Sequence, residues 1–214
     1  MTRLGQRRWT VESKAQRIPG GMYVKIGPFT RLSEGEIMRH VGSHTTMPVP
    51  VVVDNFIYGD WTYLVMSRLP GRPLNVAYRS ITPEVEHLLS VQLSKILASL
   101  RTVSPPSHRV EGWGGTPVYC ERLRFNAEPA GPWNSVDEFH KALMWRARRL
   151  RLPADLDAKE VDDVIKRAHS RPHRICLTHN DLGPHNVLID GNWNITGIVD
   201  WEASAWMPEY WYAD

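Results

Sequence analysis

The residues best suited to chemistry cluster late in the chain, in His179-Asn180-Asp181-Leu182-Gly183-Pro184-His185-Asn186. Their types read H-x-D-x-x-x-x-N, the spacing of a phosphoryl-transfer catalytic loop. Asp200 follows in the stretch GIVDWE. Moving the γ-phosphoryl group of ATP displaces a highly charged group, so a divalent cation must neutralise it. Magnesium prefers hard oxygen ligands, one or two carboxylates with phosphate oxygens and water. Asp200 can supply a carboxylate oxygen and Asn186 an amide oxygen. Asp181 need not touch the metal; it can orient an acceptor hydroxyl and take its proton as the new bond forms. A lone Asp after His is commonly a turn or cap residue, so the matched spacing of the whole set carries the reading. A different reading takes His179, Asp181 and His185 as ligands of a hydrolytic metal.

The elements around this loop must bring its residues together. Arg174-Ile175-Cys176-Leu177 is β-like and leads into it. Residues 187–190, the pair Gly191-Asn192 and residues 193–200 predict a tight hairpin. Such a hairpin folds Asp200 back toward Asp181 and Asn186. The first third of the chain reads mainly as strands. MYVKIG (22–27) is bounded by Gly20-Gly21 and Gly27-Pro28, and residues 50–58 and 61–69 flank Gly59-Asp60 as a II′-type hairpin. Between them, Ser33 and Glu36 suggest a capping box for a helix carrying Ile37, Met38 and Val41 and stopping near Gly42. After Pro70-Gly71 helices take over. Thr82-Pro83 starts one with Val85, Leu88, Leu89, Leu93, Ile96, Leu97 and Leu100 at helical spacing. Residues 102–134 read as a long loop. Ser135 with Glu138 starts a helix bearing Phe139, Leu143, Ala147 and Leu150. Asp157 with Glu160 starts another, bearing Val161, Val164, Ile165 and Ala168. Strands with one helix, then helices ending in a hairpin, make an α+β chain of two lobes.

The chain resembles the aminoglycoside phosphotransferase and choline kinase-like family. The resemblance lies in THNDLGPHNVLID with GIVDWE, in TMPVPVVV and in YLVMSRLPGRPL. It implies a protein kinase-like two-lobed fold, with a strand-rich N-terminal lobe holding one helix and a mainly helical C-terminal lobe. Residues 1–69 would form the ATP-binding lobe and 70–214 the catalytic and substrate lobe, with the chain expected to be truncated at both ends. It implies ATP and Mg2+ as cofactors, Asp181 as catalytic base, and Asn186 and Asp200 as metal ligands. Lys25 matches the family's ATP-phosphate lysine and Glu34 the helix glutamate that pairs with it; Glu36 is the fallback partner. Alternation puts Tyr23 and Lys25 on one strand face and Met22, Val24 and Ile26 on the other. The apolar set is expected to anchor the strand and leave Lys25 facing the cleft. Met66-Ser67-Arg68-Leu69 matches the hinge, placing Met66 and Arg68 at the adenine edge. Gly20-Gly21 is the one candidate for a phosphate loop, and its closeness to Lys25 departs from the family pattern. A catalytically impaired pseudokinase acting as a binding module is the alternative function.

Composition narrows the partners. The 214 residues are 42% hydrophobic and 23% charged, an ordinary globular balance. A formal net charge of +3 is too weak to argue for nucleic acid. Arg146, Arg148, Arg149 and Arg151 share a helix with an apolar face and read as a solvated surface. Two cysteines, Cys120 and Cys176, give neither a disulfide framework nor a zinc pattern. The basic N-terminus lacks the apolar run of a signal peptide, and no stretch approaches the ~20 apolar residues that span a bilayer. The expectation is a cytoplasmic monomer acting on a small-molecule hydroxyl, without nucleic acid or membrane. Glu202 and Glu209 read either as a lining for a cationic substrate or as surface acids.

Overall fold

The computed structural model describes residues 15–28, 30–120, 123, 129–147 and 157–212. Arg148, Arg149, Leu150, Arg151 and the residues before Ala15 lie outside that set. The chain forms two compact units, one of Met1–Ile96 with Leu182–Glu202, the other of Leu97–Asp181 with Ala203–Asp214.

The first unit is built on an antiparallel sheet of strands β1 (Ala15–Ile18), β2 (Met22–Gly27), β3 (Val52–Tyr58) and β4 (Trp61–Ser67), in the order β1-β2-β4-β3. Gly20 and Gly21, at φ 84° and 70°, turn β1 into β2, and Gly59 at φ 60° turns β3 into β4. Positive φ at the first turn residue alone is what the predicted II′ geometry requires. Helix α1 (Leu32–His44) packs on one sheet face, where Asn55 donates to the Leu32 carbonyl at 2.8 Å. The expected capping box does not form. Ser33 lies inside α1, Arg31 is the N-cap, and no side chain caps it. Contacts from elsewhere in the chain set this start: Arg31 donates to the Glu202 carbonyl at 3.1 Å. The helix also runs past Gly42, and the Thr45 amide and hydroxyl both close on the Val41 carbonyl.

Beyond β4, Gly71 at φ 104° directs the chain into β5 (Arg72–Pro73). This short strand pairs with β8 (Val187–Ile189), which pairs in turn with β9 (Ile195–Ile198). The β8–β9 connection is wider than the predicted two-residue turn. Asp190 replaces that turn with a side-chain brace, accepting from the amides of Asn192 and Asn194 at 2.8 and 2.9 Å. This Asx-type connection leaves Trp193 at φ 63°. Helix α2 (Pro83–Leu100) starts where Thr82 accepts from the Val85 amide. Of its apolar stripe only Leu89 and Leu100 are fully buried, and Leu88 is exposed.

The second unit holds a sheet of β6 (Glu111–Gly112), β10 (Ala205–Pro208) and β7 (Ile175–Thr178), in the order β6-β10-β7. Its core includes Leu100, Val110, Phe139, Leu177, Trp206 and Met207. The predicted long loop is partly ordered, through bridges between Val110 and Trp133 and between Val118 and Ala130. Helices α3 (Val136–Ala147) and α4 (Ala158–His169) follow. The predicted cap of α4 is present, with Asp157 accepting from the Lys159 amide at 2.7 Å. His140 of α3 stacks on His169 of α4, with ring centroids 3.5 Å apart, and bonds Tyr210 at 2.7 Å. Cys120 and Cys176 are free and buried. Among the described residues no helix is long and apolar enough to cross a membrane.

Candidate active site

The centre of the first unit is an ammonium group held by three carboxylates. Lys25 Nζ lies 3.0 Å from Glu34 Oε2, 2.8 Å from Asp200 Oδ1 and 2.8 Å from Glu202 Oε2. Strand β2 supplies the lysine, the first turn of α1 supplies Glu34, and the segment after β9 supplies both other acids. The expected anchoring of β2 is reversed. Lys25 sits on the face that α1 covers and is buried, whereas Met22, Val24 and Ile26 are only half-buried on the opposite face. Alternation was sound, but apolarity did not identify the inner face, because a fully partnered lysine can occupy a buried position.

Charge balance explains how. Burial opposes the Lys25 charge, but Glu34, Asp200 and Glu202 outweigh it and hold its pKa above the usual lysine value. Glu34 behaves differently. Its side chain is 1% exposed, and burial pushes its pKa up to about 7 although Lys25 pulls it down. Asp200 and Glu202 add repulsion and share the same ammonium, so Glu34 gets only part of its benefit. Glu36 is not the partner of Lys25; the sequence expectation of Glu34 is what the geometry shows.

Asp200 and Glu202 flank Trp201, which is 0% exposed and donates from its indole to the Ile198 carbonyl. That buried anchor projects an acid on either side. Asp200 adopts φ 66°, a left-handed conformation uncommon for a side-chain-bearing residue and frequent at functional sites. Asn186 is tied to the same place: its carbonyl accepts from the Val199 amide at 3.0 Å. Asn186 and Asp200 line one cavity of about 330 Å³ together with Lys25, Glu34, Met66 and Arg68. Among the described residues, Glu34, Asp200 and Glu202 are the group of acids whose oxygens approach closely enough to share a cation. Among the described residues, His179, Asp181 and His185 do not form such a group. The His179 ring is buried, and its Nδ1 accepts from the Asp181 amide at 3.3 Å. His179 therefore braces the loop. Asp181 itself belongs to the second unit.

Met66, Ser67, Arg68 and Leu69 line the same cavity. Met22 and Ser67 face each other, and the Arg68 amide donates to the Gly21 carbonyl at 2.9 Å. Gly20-Gly21 thus sits against the C-terminal end of β4 as a hairpin turn. The Ser67 amide donates to the Val51 carbonyl at 2.8 Å, and the Val51 amide donates to Ser67 Oγ at 2.8 Å.

The link between Glu202 and Lys25 was missed in sequence. Glu202 was read as a surface or substrate-lining acid, and only its position two residues beyond Asp200 could have signalled a shared role. Glu209, read the same way, bonds Arg174 at 3.0 Å in the second unit. Ser67 carried no signal beyond its place in the hinge match.

A profile of the phosphotransferase enzyme family matches residues 6–211. The chain belongs to the phosphotransferase enzyme family. It is 28% identical over 144 residues to viomycin phosphotransferase of Streptomyces vinaceus, covering 65% of this chain and 44% of the relative. It is 23% identical over 203 residues to clavilactone A biosynthesis cluster protein Y of Ampulloclitocybe clavipes, covering 82% and 50%. The chain spans about half the length of these curated relatives. The fold matches aminoglycoside phosphotransferase APH(4)-Ia, solved as a ternary complex with AMP-PNP and hygromycin B. That match has TM-score 0.57 and 18% identity, over 89% of this chain and 62% of the other. It also matches the GDP complex of an aminoglycoside 2'-phosphotransferase-IIIa mutant, with TM-score 0.57 and 16% identity, over 95% and 70%. The chain therefore has the α+β, protein kinase-like fold of these structures.

Proposed function

We propose that this phosphotransferase moves the γ-phosphoryl group of ATP to a hydroxyl of a small molecule. The observation that carries the reading is Lys25 held jointly by Glu34 and Asp200 beside a cavity that Asn186 also lines. An ion-paired lysine beside an aspartate is the arrangement phosphoryl transfer needs to bind and neutralise a triphosphate. The donor set also fits magnesium: Asp200 and Asn186 offer hard oxygens, and the acids around Lys25 outnumber its single positive charge. In this reading Asp200 and Asn186 hold Mg2+, which when bound neutralises charge on the phosphate oxygens. Lys25 binds phosphate oxygens and Glu34 keeps its ammonium in place. Met66 and Arg68 belong to the hinge that receives the adenine. Asp181 orients the acceptor hydroxyl and accepts its proton, with His179 fixing the Asp181 backbone. Residues 1–69 act as the nucleotide lobe and 70–214 as the substrate lobe. The protein works as a monomer in the cytoplasm, on a small molecule rather than on nucleic acid or membrane.

A binding module without turnover is the second reading. It draws on Gly20-Gly21, which serve a turn at the hinge end and so do not act as a loop over the phosphates. Measuring ATP consumption across a panel of hydroxyl acceptors, including aminoglycosides and choline-like amines, separates the two. At least one acceptor should support turnover, and Asp181→Asn should abolish it while nucleotide binding persists. Nucleotide binding with no turnover for any acceptor would favour the binding module.

A further inference from the structure

The bond between Val51 and Ser67 departs from what an antiparallel sheet prescribes. Residues in such a ladder alternate between pairs that exchange two backbone bonds and pairs that exchange none. The Arg68 amide on the Gly21 carbonyl marks Met22 and Ser67 as a pair that exchanges none. Ser67 therefore directs its own amide and carbonyl to its other flank, toward Val51. There its amide donates to the Val51 carbonyl at 2.8 Å, and a regular ladder would return a bond from the Val51 amide to the Ser67 carbonyl. The Val51 amide goes to Ser67 Oγ instead, at 2.8 Å. The hydroxyl stands in for the carbonyl of its own residue.

The consequence falls inside the cavity of the first unit, which Ser67 lines together with Met66, Arg68 and Leu69. The Arg68 amide is occupied by Gly21 and the Ser67 amide by Val51. We infer that Ser67 is a positioning residue for nucleotide choice: its hydroxyl occupies the Val51 amide so that the Ser67 carbonyl can accept from the 6-amino group of an adenine nucleotide. The inference rests on the nucleotide reading of this cavity. A 6-oxo purine presents an acceptor to that carbonyl and leaves both oxygens without a donor, a mismatch that discriminates more strongly than lost packing does.

The test compares Ser67→Ala and Ser67→Thr with the unaltered chain, using ATP and ITP as probes. Dissociation constants are measured by titration and melting temperatures without nucleotide. The unaltered chain should prefer ATP over ITP. In Ser67→Ala the Val51 amide is free to take the Ser67 carbonyl, completing a regular ladder, so the nucleotide-free melting temperature should hold. Its ATP affinity should fall about tenfold, close to a single hydrogen bond's worth, and its ATP preference should shrink toward parity. Ser67→Thr keeps a hydroxyl and should keep the preference. Three results overturn the inference while leaving the nucleotide reading intact: no ATP preference in the unaltered chain, an undiminished preference in Ser67→Ala, or equal loss in Ala and Thr variants. A marked drop in the nucleotide-free melting temperature of Ser67→Ala also overturns it, by making the hydroxyl a structural brace. Absence of binding to either nucleotide by the unaltered chain overturns the nucleotide reading itself.

Discussion

Lys25 combines a strand position, a buried environment and three acidic neighbours, and each constrains what a substitution there can do. Lys25→Met removes the only cation among the four groups that meet at this point. It leaves Glu34 buried among two other acids, and Glu34 can respond by staying protonated, since its pKa is already raised to about 7. We therefore expect Lys25→Met to fold at neutral pH and to lose kcat/KM by about 10²-fold or more. Steady-state kinetics with a responsive acceptor checks this, and an effect confined to the melting temperature would contradict it. Much of this site was legible in sequence. Asp200 and Asn186 were found through residue type and spacing, and Lys25 and Glu34 through the family likeness. Glu202 was not, because a glutamate beside a tryptophan carries no sign that the ring is buried. Burial of Trp201 is a property of the packed chain, and the acid beside it reaches Lys25 Nζ at 2.8 Å.

At the scale of elements, the site depends on how short segments are steered. Gly71 illustrates this, at the entry into β5. A Cβ at that position would meet the Ile189 carbonyl oxygen at 2.6 Å and Thr196 Oγ1 at 2.5 Å, and the backbone is at φ 104°. Backbone atoms of β8 cannot retreat without disturbing the strand that follows Asn186. Gly71→Ala should therefore destabilise the protein by about 2 kcal/mol or more, read as a lower urea midpoint with an unchanged slope. Strands β2, β3 and β4 were legible because their apolar runs are short and bounded by Gly and Pro, whereas β1, β5, β6 and β10 were not read from the sequence. β2 spans the same six residues as predicted, Met22–Gly27. Element ends were less legible. α1 begins where Asn55 donates to the Leu32 carbonyl and Arg31 reaches the Glu202 carbonyl, and the β8–β9 turn follows the Asp190 side chain rather than Gly191-Asn192. The first depends on partners that no local window contains, whereas the second follows from a local bond of Asp190 to the Asn192 and Asn194 amides.

For the whole molecule, two buried groups give stability opposite dependences on pH. His140 is held down to about 4 by burial first, then by the charges of His169 and His173, against a weaker pull from Asp137. Its folded pKa lies below the unfolded value, so its contribution is present above about 6.5 and is lost as pH falls toward 4. Glu34 has the opposite sign. Its folded pKa is raised, so its contribution is full below about 4.5 and is lost as pH rises through about 7. The melting temperature of the nucleotide-free protein should thus change little between these limits, as the two slopes offset. His140→Gln should unmask a decline with rising pH, and Glu34→Gln a decline with falling pH. Parallel profiles in both variants would refute the assignment.

An ammonium group has three protons, and in Lys25 each already has a carboxylate within 3.0 Å. A phosphate oxygen reaches that nitrogen only by displacing one of them, and a released carboxylate needs a new counter-charge. A divalent ion provides it. Nucleotide and ion should therefore exhibit thermodynamic linkage, each tightening the affinity of the other by the same factor. Isothermal titration of the nucleotide at several magnesium concentrations measures that factor. A value of one would mean that the displaced acid finds its relief elsewhere.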